Sequence, residues 1–144
     1  MKRKFCVALL LVSLFVVNTI AFAQSKGYSS VGVPQYSYGA VTVVSNVTRS
    51  INANNARNTC TANLIGAQCY CAVRNTSAIT GVNGNQIAAG TLIVTGKYFT
   101  TGSVNMPYMA NAKTNNSYLT YMRVENQANQ GTNISGTYDA DYIN

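Results

Sequence analysis

Short runs of β-branched and aromatic residues, separated by turn residues, constrain the fold more than any other feature of this chain. Three such runs read AVTVVSNVT, TLIVTGKYFTT and SYLTYMRVEN. In the third, alternation places Tyr118, Thr120, Met122 and Val124 on one face and Leu119, Tyr121, Arg123 and Glu125 on the other. No window of useful length combines a 3.6-residue apolar period with good helix formers, and only MPYMANAK suits a helical turn. The pattern predicts an all-β fold, a small antiparallel β-sandwich or barrel of about six to eight strands.

The N-terminus predicts export. The segment MKRKFC carries three positive charges and leads into VALLLVSLFVV, an apolar run that is interrupted by Asn18 and Thr19. This is the order of a secretory signal peptide, and the run is shorter than the roughly 20 apolar residues of a membrane-spanning helix. Ala21 and Ala23 supply the small residues that a signal peptidase recognises. We therefore predict a signal peptide over residues 1–23, no membrane span, and a secreted, extracellular product that is either released or held at a cell surface by noncovalent contacts.

Residues 24–144 are predicted to form an arm followed by one domain. Residues 24–39 are rich in Gly, Ser and Tyr and lack helical spacing, so we expect an extended N-terminal arm. Residues 40–144 then form a single antiparallel β domain. Removing Lys2, Arg3 and Lys4 leaves seven basic residues against three acidic ones, so the net charge falls from +7 to +4. These basic residues are scattered, which argues against nucleic-acid binding.

Three cysteines lie within the segment CTANLIGAQCYC. If the flanking segments pair as a hairpin that turns at Ile65 and Gly66, Cys60 faces Cys71, and directly opposed residues are close enough for a disulfide. A register shifted by two residues pairs Cys60 with Cys69 instead. We predict a Cys60–Cys71 disulfide, with Cys69 as a buried thiol or exchange partner. Such a bridge stabilises by about 3 kcal/mol in the chain-entropy model.

The residue types exclude most enzyme chemistry. The chain has no histidine, so the common nucleophile triads cannot be built. Its only carboxylates are Glu125, Asp139 and Asp141, and the last two lie near the C-terminus, where charges are usually solvated. A structural zinc site usually takes four Cys or His ligands, and only three cysteines follow the signal segment. We therefore predict no enzyme activity, no metal and no cofactor.

Tyrosines are the remaining binding feature, because a tyrosine offers a flat apolar ring with a polar tip. We place the candidate binding site in the arm, at Tyr28, Tyr36 and Tyr38 with Lys26 nearby. Structural roles are equally open for these tyrosines, and we favour such roles for the tyrosines of the strand-like segments. The predicted partner is a cell-envelope glycan or a secreted or surface protein.

The C-terminal third resembles a known group of proteins. Val124, Glu125 and Asn126 are followed by Ile134–Tyr138 before Asp139, within YMANAKTNNSYLTYMRVENQANQGTNISGTYDAD. This segment is similar to the closing section of small secreted proteins of Gram-positive bacteria, which include lactococcin-like β-sandwich bacteriocins. Tyr138 stands where those proteins have tryptophan. The resemblance implies a sandwich fold and, as an alternative function, an antibacterial role.

Together these features predict a secreted, non-catalytic β-sandwich that acts by binding at a cell surface or to a secreted partner. The first alternative is a bacteriocin-like protein. The second is a structural surface subunit that assembles edge to edge as a homo-oligomer, because few charges or prolines guard its predicted strands.

Overall fold

The computed structural model describes residues 25–50 and 55–142, and this part of the chain is built from strands and two single 3-10 turns. The strands are β1 (Ser25–Val33), β2 (Val41–Arg49), β3 (Asn55–Asn63), β4 (Cys69–Asn75), β5 (Ile79–Thr80), β6 (Gln86–Ile87), β7 (Lys97–Phe99), β8 (Gly102–Pro107), β9 (Tyr118–Asn126) and β10 (Thr132–Tyr142). The 3-10 turns cover Tyr36–Tyr38 and Ala110–Ala112, and the second lies inside the segment predicted for a helical turn.

Eight strands form two four-stranded antiparallel sheets that pack face to face, which confirms the predicted sandwich. Sheet A has the order β1-β10-β3-β8 and sheet B the order β2-β9-β4-β7. Strands β5 and β6 form a separate two-stranded ribbon. Strands that follow each other in sequence are therefore often in different sheets, as in other sandwich folds.

The core lies between the two sheets and follows the two-residue period of the strands. In β9, Tyr118, Thr120, Met122, Val124 and Asn126 are buried while the residues between them are more accessible, as the alternation predicts. Each sheet thus has a buried inner face and an outer face that meets solvent.

The described part of the predicted arm, residues 25–39, does not stand apart from the domain. Ser25–Val33 is extended, but it is the edge strand β1 of sheet A and pairs with β10. Tyr28 lies opposite Gly136, where a Cβ would come within 2.7 Å of the Tyr28 hydroxyl oxygen. The missing side chain at Gly136 therefore makes room for the tyrosine ring inside the sandwich.

The predicted hairpin of residues 60–71 is wrong. Strand β3 pairs with β10 and β8, whereas β4 pairs with β9 and β7, so the turn between them carries the chain from sheet A to sheet B. Residues 91–101, predicted as one strand, form isolated bridges at Leu92 and Val94 before β7. The predicted run at residues 40–48 corresponds to β2.

The connections β1–β2, β3–β4, β7–β8 and β9–β10 meet at one end of the sandwich, which we call the loop end. The pairs Val33 with Thr132 and Cys69 with Asn126 lie beside it.

The predicted signal peptide lies outside the described residues. In the described part of the chain, no helix is long and apolar enough to span a membrane.

Candidate functional site

The structure does not bring the predicted arm residues together. Tyr28 is buried, with 6% of its surface exposed, and its hydroxyl donates to Asn58 Oδ1 at 2.7 Å. Lys26 is exposed near the start of β1, where its Nζ donates to the Ser45 carbonyl at 3.0 Å. Tyr36 and Tyr38 are exposed beyond the other end of β1. At about 3.4 Å per residue, more than 20 Å of strand separates Lys26 from Val33.

The three described cysteines are free thiols, so the predicted Cys60–Cys71 disulfide is absent from the structure. Cys60 lies in sheet A and Cys69 and Cys71 in sheet B, and all three are buried in the core between the sheets. The Cys71 thiol lies 3.5 Å from the sulfur of Met106. The opposed hairpin positions on which the disulfide prediction rests do not exist, because β3 and β4 do not pair.

Burial also keeps these thiols protonated. Desolvation raises the pKa of Cys71 from 9.0 to about 12, and desolvation together with the charge of Cys60 raises the pKa of Cys69 to about 11. Desolvation raises the pKa of Cys60 as well. Because the thiolate is the nucleophile and metal ligand, protonated thiols suit a structural role. Among the described residues, no group of three or more His, Cys, Asp or Glu side chains could hold a metal ion.

The carboxylates lie at opposite ends of the sandwich. Glu125 is next to the last residue of β9, beside the loop end, whereas Asp139 and Asp141 lie near the far end of β10. Asp141 is buried and accepts a hydrogen bond from the Ser50 hydroxyl at 2.5 Å. Asp139 accepts from the backbone N–H of Asp141 at 2.8 Å. One oxygen of each carboxylate is thus engaged at the end of β10.

The outer face of sheet B instead collects aromatic and charged side chains in adjacent rows. Strand register places Tyr98, Tyr70 and Glu125 side by side on β7, β4 and β9. Two residues along, Ala72 lies beside Arg123, and two further, Arg74 lies beside Tyr121. We call this surface the Tyr/Arg face, defined by Tyr70, Arg74, Tyr98, Tyr121, Arg123 and Glu125.

A groove of about 310 Å³ runs over this face, lined by Ala40, Tyr70, Ala72, Arg74, Arg123 and Glu125. Ala72 lies between Tyr70 and Arg74 on β4. Its side chain is shorter than those of its two neighbours, which leaves space for the groove. Both guanidinium groups are anchored to backbone carbonyls: Arg74 Nη1 donates to Gly90 at 2.6 Å, and Arg123 Nη2 donates to Ala40. Each anchor uses one of the five N–H donors of an arginine, and the others remain for a ligand or water.

Aromatic rings flank the groove. The ring of Tyr70 lies 5.0 Å from that of Tyr98, centroid to centroid, at an interplanar angle of 56°, which is a favourable tilted arrangement. Tyr98 is 58% exposed and thus presents most of its ring to solvent. Gly96 allows Tyr70 its position, because a Cβ at residue 96 would lie 2.1 Å from the Tyr70 hydroxyl oxygen. The arrangement joins flat apolar surface to two fixed cations.

A cleft of about 430 Å³ elsewhere is less suited to a specific ligand. Segments 77–80 and 114–119 line it, with Thr114 and Tyr118 among the lining residues, and no charged side chain contributes. The Tyr118 hydroxyl is already engaged, since it donates to the Ala112 carbonyl at 3.0 Å. The Tyr/Arg face is therefore the stronger candidate site.

Sequence reasoning missed this face for two reasons. It treated the basic residues as scattered, but the pairing of β4 with β9 brings Arg74 and Arg123 into one groove. It also favoured structural roles for the strand tyrosines; Tyr118 and Tyr138 are buried, whereas Tyr98 is exposed. One sequence feature could have indicated this face. The alternation in β9 predicted that Tyr121, Arg123 and Glu125 lie together on one face of the strand.

Comparisons with protein-family models, with curated proteins and with solved structures found no match, so the resemblance to lactococcin-like proteins stays a prediction and the site rests on the chain's own geometry.

Proposed function

We propose that this protein is a secreted, non-catalytic binding module that holds an anionic cell-envelope glycan on the Tyr/Arg face. The observation that carries the proposal is the groove in which Arg74 and Arg123 lie beside Tyr70. Export is supported by the predicted signal peptide, and a binding role without catalysis is supported by the residue types of the chain, which include no histidine.

The chemistry of the groove fits sugars that carry carboxylate or phosphate groups. Tyrosine rings offer flat apolar surfaces on which sugar rings stack, while their hydroxyls reach polar groups. Guanidinium groups form strong, geometrically specific hydrogen bonds with carboxylate and phosphate. Because backbone carbonyls anchor Arg74 and Arg123, less side-chain entropy is lost when a ligand binds.

The charge of the face favours an anionic ligand without excluding neutral hydroxyls. The Tyr/Arg face has two guanidinium groups and one carboxylate, Glu125. The Glu125 carboxylate accepts from the Gln127 side chain at 3.3 Å and retains acceptor capacity for sugar hydroxyls. An extended polymer that runs along the strands would meet the row of Tyr98, Tyr70 and Glu125, then Arg123, and then Arg74 and Tyr121.

Retention on purified cell-wall glycan tests the proposal. We expect the chain from Gln24 to bind wall polymers that carry phosphate or carboxylate groups, and to bind less after these groups are chemically removed. Loss of the exposed ring in Tyr98→Ala should weaken binding roughly tenfold, on the order of one aromatic contact. Arg123→Gln should weaken it about 10- to 100-fold, because a hydrogen bond to a charged group is lost.

Tyr38→Ala is the matched comparison, since Tyr38 is an exposed tyrosine away from sheet B. Circular dichroism and urea unfolding must show that each variant is folded. Binding that is lost in Tyr38→Ala and kept in Tyr98→Ala would contradict the proposal and return the site to the predicted arm. Equal binding by all variants would also contradict it.

A further inference from the structure

The loop end of the sandwich is formed by uncharged connections. Its four connections are residues 34–40, 64–68, 100–101 and 127–131, and none of them contains Asp, Glu, Lys or Arg. Charged residues of the described chain lie along the strands and at the opposite end. The nearest charged groups lie at its margin, where Arg123 Nη2 donates to the Ala40 carbonyl and the Gln127 side chain donates to Glu125. The connections themselves can therefore leave water without the large cost of desolvating a charge.

The same end exposes apolar and aromatic side chains. The described chain has seven large hydrophobic residues with exposed side chains, and four of them, Tyr36, Tyr38, Leu64 and Ile65, belong to these connections. Leu64 and Tyr38 are each 76% exposed. Beside Leu64, a shallow groove of about 480 Å³ is lined by Val33, Pro34 and residues 131–133 among others. Such clustering of exposed apolar surface marks an interaction site.

Four backbone donors at the loop end are satisfied within the protein. The N–H of Leu64 donates to the Asn133 carbonyl at 3.0 Å, and that of Ile65 donates to Thr132 Oγ1 at 3.4 Å. The N–H of Gly66 donates to the Asn63 carbonyl at 3.1 Å and closes the turn. The same holds across the sandwich at Tyr36, whose N–H donates to the Ala128 carbonyl at 3.0 Å. An apolar medium therefore leaves no N–H of these four residues unpaired, and an unpaired backbone group is costly in lipid.

We propose that the loop end is a lipid-docking surface that inserts into the interfacial region of a bilayer. Leu64 and Ile65, at the tip of the β3–β4 turn, reach the boundary of the acyl chains. Tyr36 and Tyr38 lie at the headgroup level, where amphipathic aromatic rings are favoured. This surface is separate from the Tyr/Arg face, so the inference does not depend on the proposed glycan binding.

The described chain enters and leaves the sandwich away from this end. The described chain begins at Ser25, which pairs with Asp139, and it ends at Tyr142, which pairs with Asn55. These pairs lie at the end of sheet A opposite the loop end. Asn55, where the described chain resumes after Ser50, lies at the same end. The bilayer interface fits this end because its connections contain no charged residue and expose apolar and aromatic side chains.

A tryptophan reporter tests insertion directly, because the chain contains no tryptophan. Leu64→Trp, in the chain from Gln24 that contains every strand of both sheets, is mixed with phosphatidylcholine vesicles. We expect a blue shift of its emission and quenching by brominated acyl chains. Leu119→Trp is the matched control, since Leu119 is 41% exposed on the outer face of sheet B. Its emission should not change.

Co-sedimentation with the same vesicles measures affinity without a reporter. Leu64→Ala should weaken partitioning into vesicles by about 10- to 50-fold. The substitution removes about three methylene groups that the bilayer would largely shield from water. Leu64→Asp should abolish partitioning, whereas Leu119→Asp should leave it unchanged. Binding should persist on vesicles without anionic lipid and depend little on salt.

Three results would overturn the inference. The first is no binding to neutral vesicles by the unmodified chain. The second is binding only to vesicles that contain phosphatidylglycerol, lost in salt and insensitive to Leu64. The third is concentration-dependent dimerisation in the absence of lipid that Leu64→Asp removes, which would assign the loop end to a second copy of the chain.

Discussion

The buried thiols predict a specific loss of stability at alkaline pH. Desolvation holds Cys71 at a pKa of about 12 and Cys69 at about 11 in the folded protein, against an ordinary value of 9.0. Above pH 9 the unfolded chain releases these protons while the folded protein keeps them. Stability is therefore complete below pH 9 and declines as pH rises towards the folded values.

The size of this effect follows from linkage. At pH 10 the ionisation of one thiol with a pKa of 9.0 lowers the free energy of the unfolded state by about 1.4 kcal/mol. The folded state gains almost nothing at that pH. Cys69 and Cys71 together should remove about 3 kcal/mol from the free energy of unfolding between pH 7 and pH 10, a large share of the typical 5–15 kcal/mol.

Urea unfolding, followed by circular dichroism in a phosphine reductant from pH 7 to pH 10, measures this decline. The control is the double variant Cys69→Ala/Cys71→Ala. Its free energy of unfolding is lower at every pH because packing is lost, so the two proteins are compared by how much this free energy changes with pH. Tyrosine ionisation and Cys60 contribute to both proteins and cancel in the difference. Equal declines in the two proteins would refute the reasoning, because the two thiols would then not be desolvated.

Two further predictions concern the thiols and the groove. Alkylation in urea without reductant should modify three thiols of the chain from Gln24, and intact mass showing one modified thiol would establish a disulfide instead. Gly96→Ala should displace the Tyr70 ring and weaken glycan binding while it lowers stability by about 1–3 kcal/mol, as overpacking does. Gly27→Ala is the control, because the nearest atom to its added Cβ is 3.8 Å away; equal glycan binding by the two variants would contradict the role of Gly96.

The local sequence pattern was sufficient to predict strands that have one buried face and one face exposed to solvent. The alternation in β9 predicted its inner and outer residues correctly, and the β-branched composition of β2 predicted that strand. In both cases the two-residue period is visible within the segment itself. The sandwich architecture followed from the number and spacing of such segments.

The sheet assignment of β3 and β4 could not be predicted in this way. A short turn between two strand-like segments favours a hairpin, but here each strand pairs with partners that are distant in sequence. Composition likewise gave no strand signal for residues 25–33, which become a strand because β10 offers an edge and Gly136 offers space for Tyr28. Both outcomes depend on tertiary pairing.

Edge-to-edge assembly is less favoured by the structure than by the sequence. The two sheets have four edge strands. Strands β7 and β8 are short, with three and six residues, and pair regularly. Strands β1 and β2 carry irregular pairing, between Tyr28 and Val31 in β1 and between Val44 and Val47 in β2. Ser30 and Asn46 lie at these points with φ of 49° and 58°. Such bulges interrupt the regular row of donors and acceptors that a second chain would need. We therefore rank the structural subunit behind the binding module.

The two proposed surfaces are compatible with one orientation of the molecule. The row of Tyr98, Tyr70 and Glu125 is the part of the Tyr/Arg face nearest the loop end, because the adjacent row begins β4 at Cys69 and ends β9 at Asn126. With the loop end in a bilayer interface, the strands would rise from the membrane and the groove would begin within about 10 Å of it, at roughly 3.4 Å per residue. Anionic polymers that extend from a membrane surface would then meet the Tyr/Arg face along its length. Loss of lipid docking should therefore lower the apparent affinity for a membrane-anchored glycan and leave the affinity for the same glycan in solution unchanged.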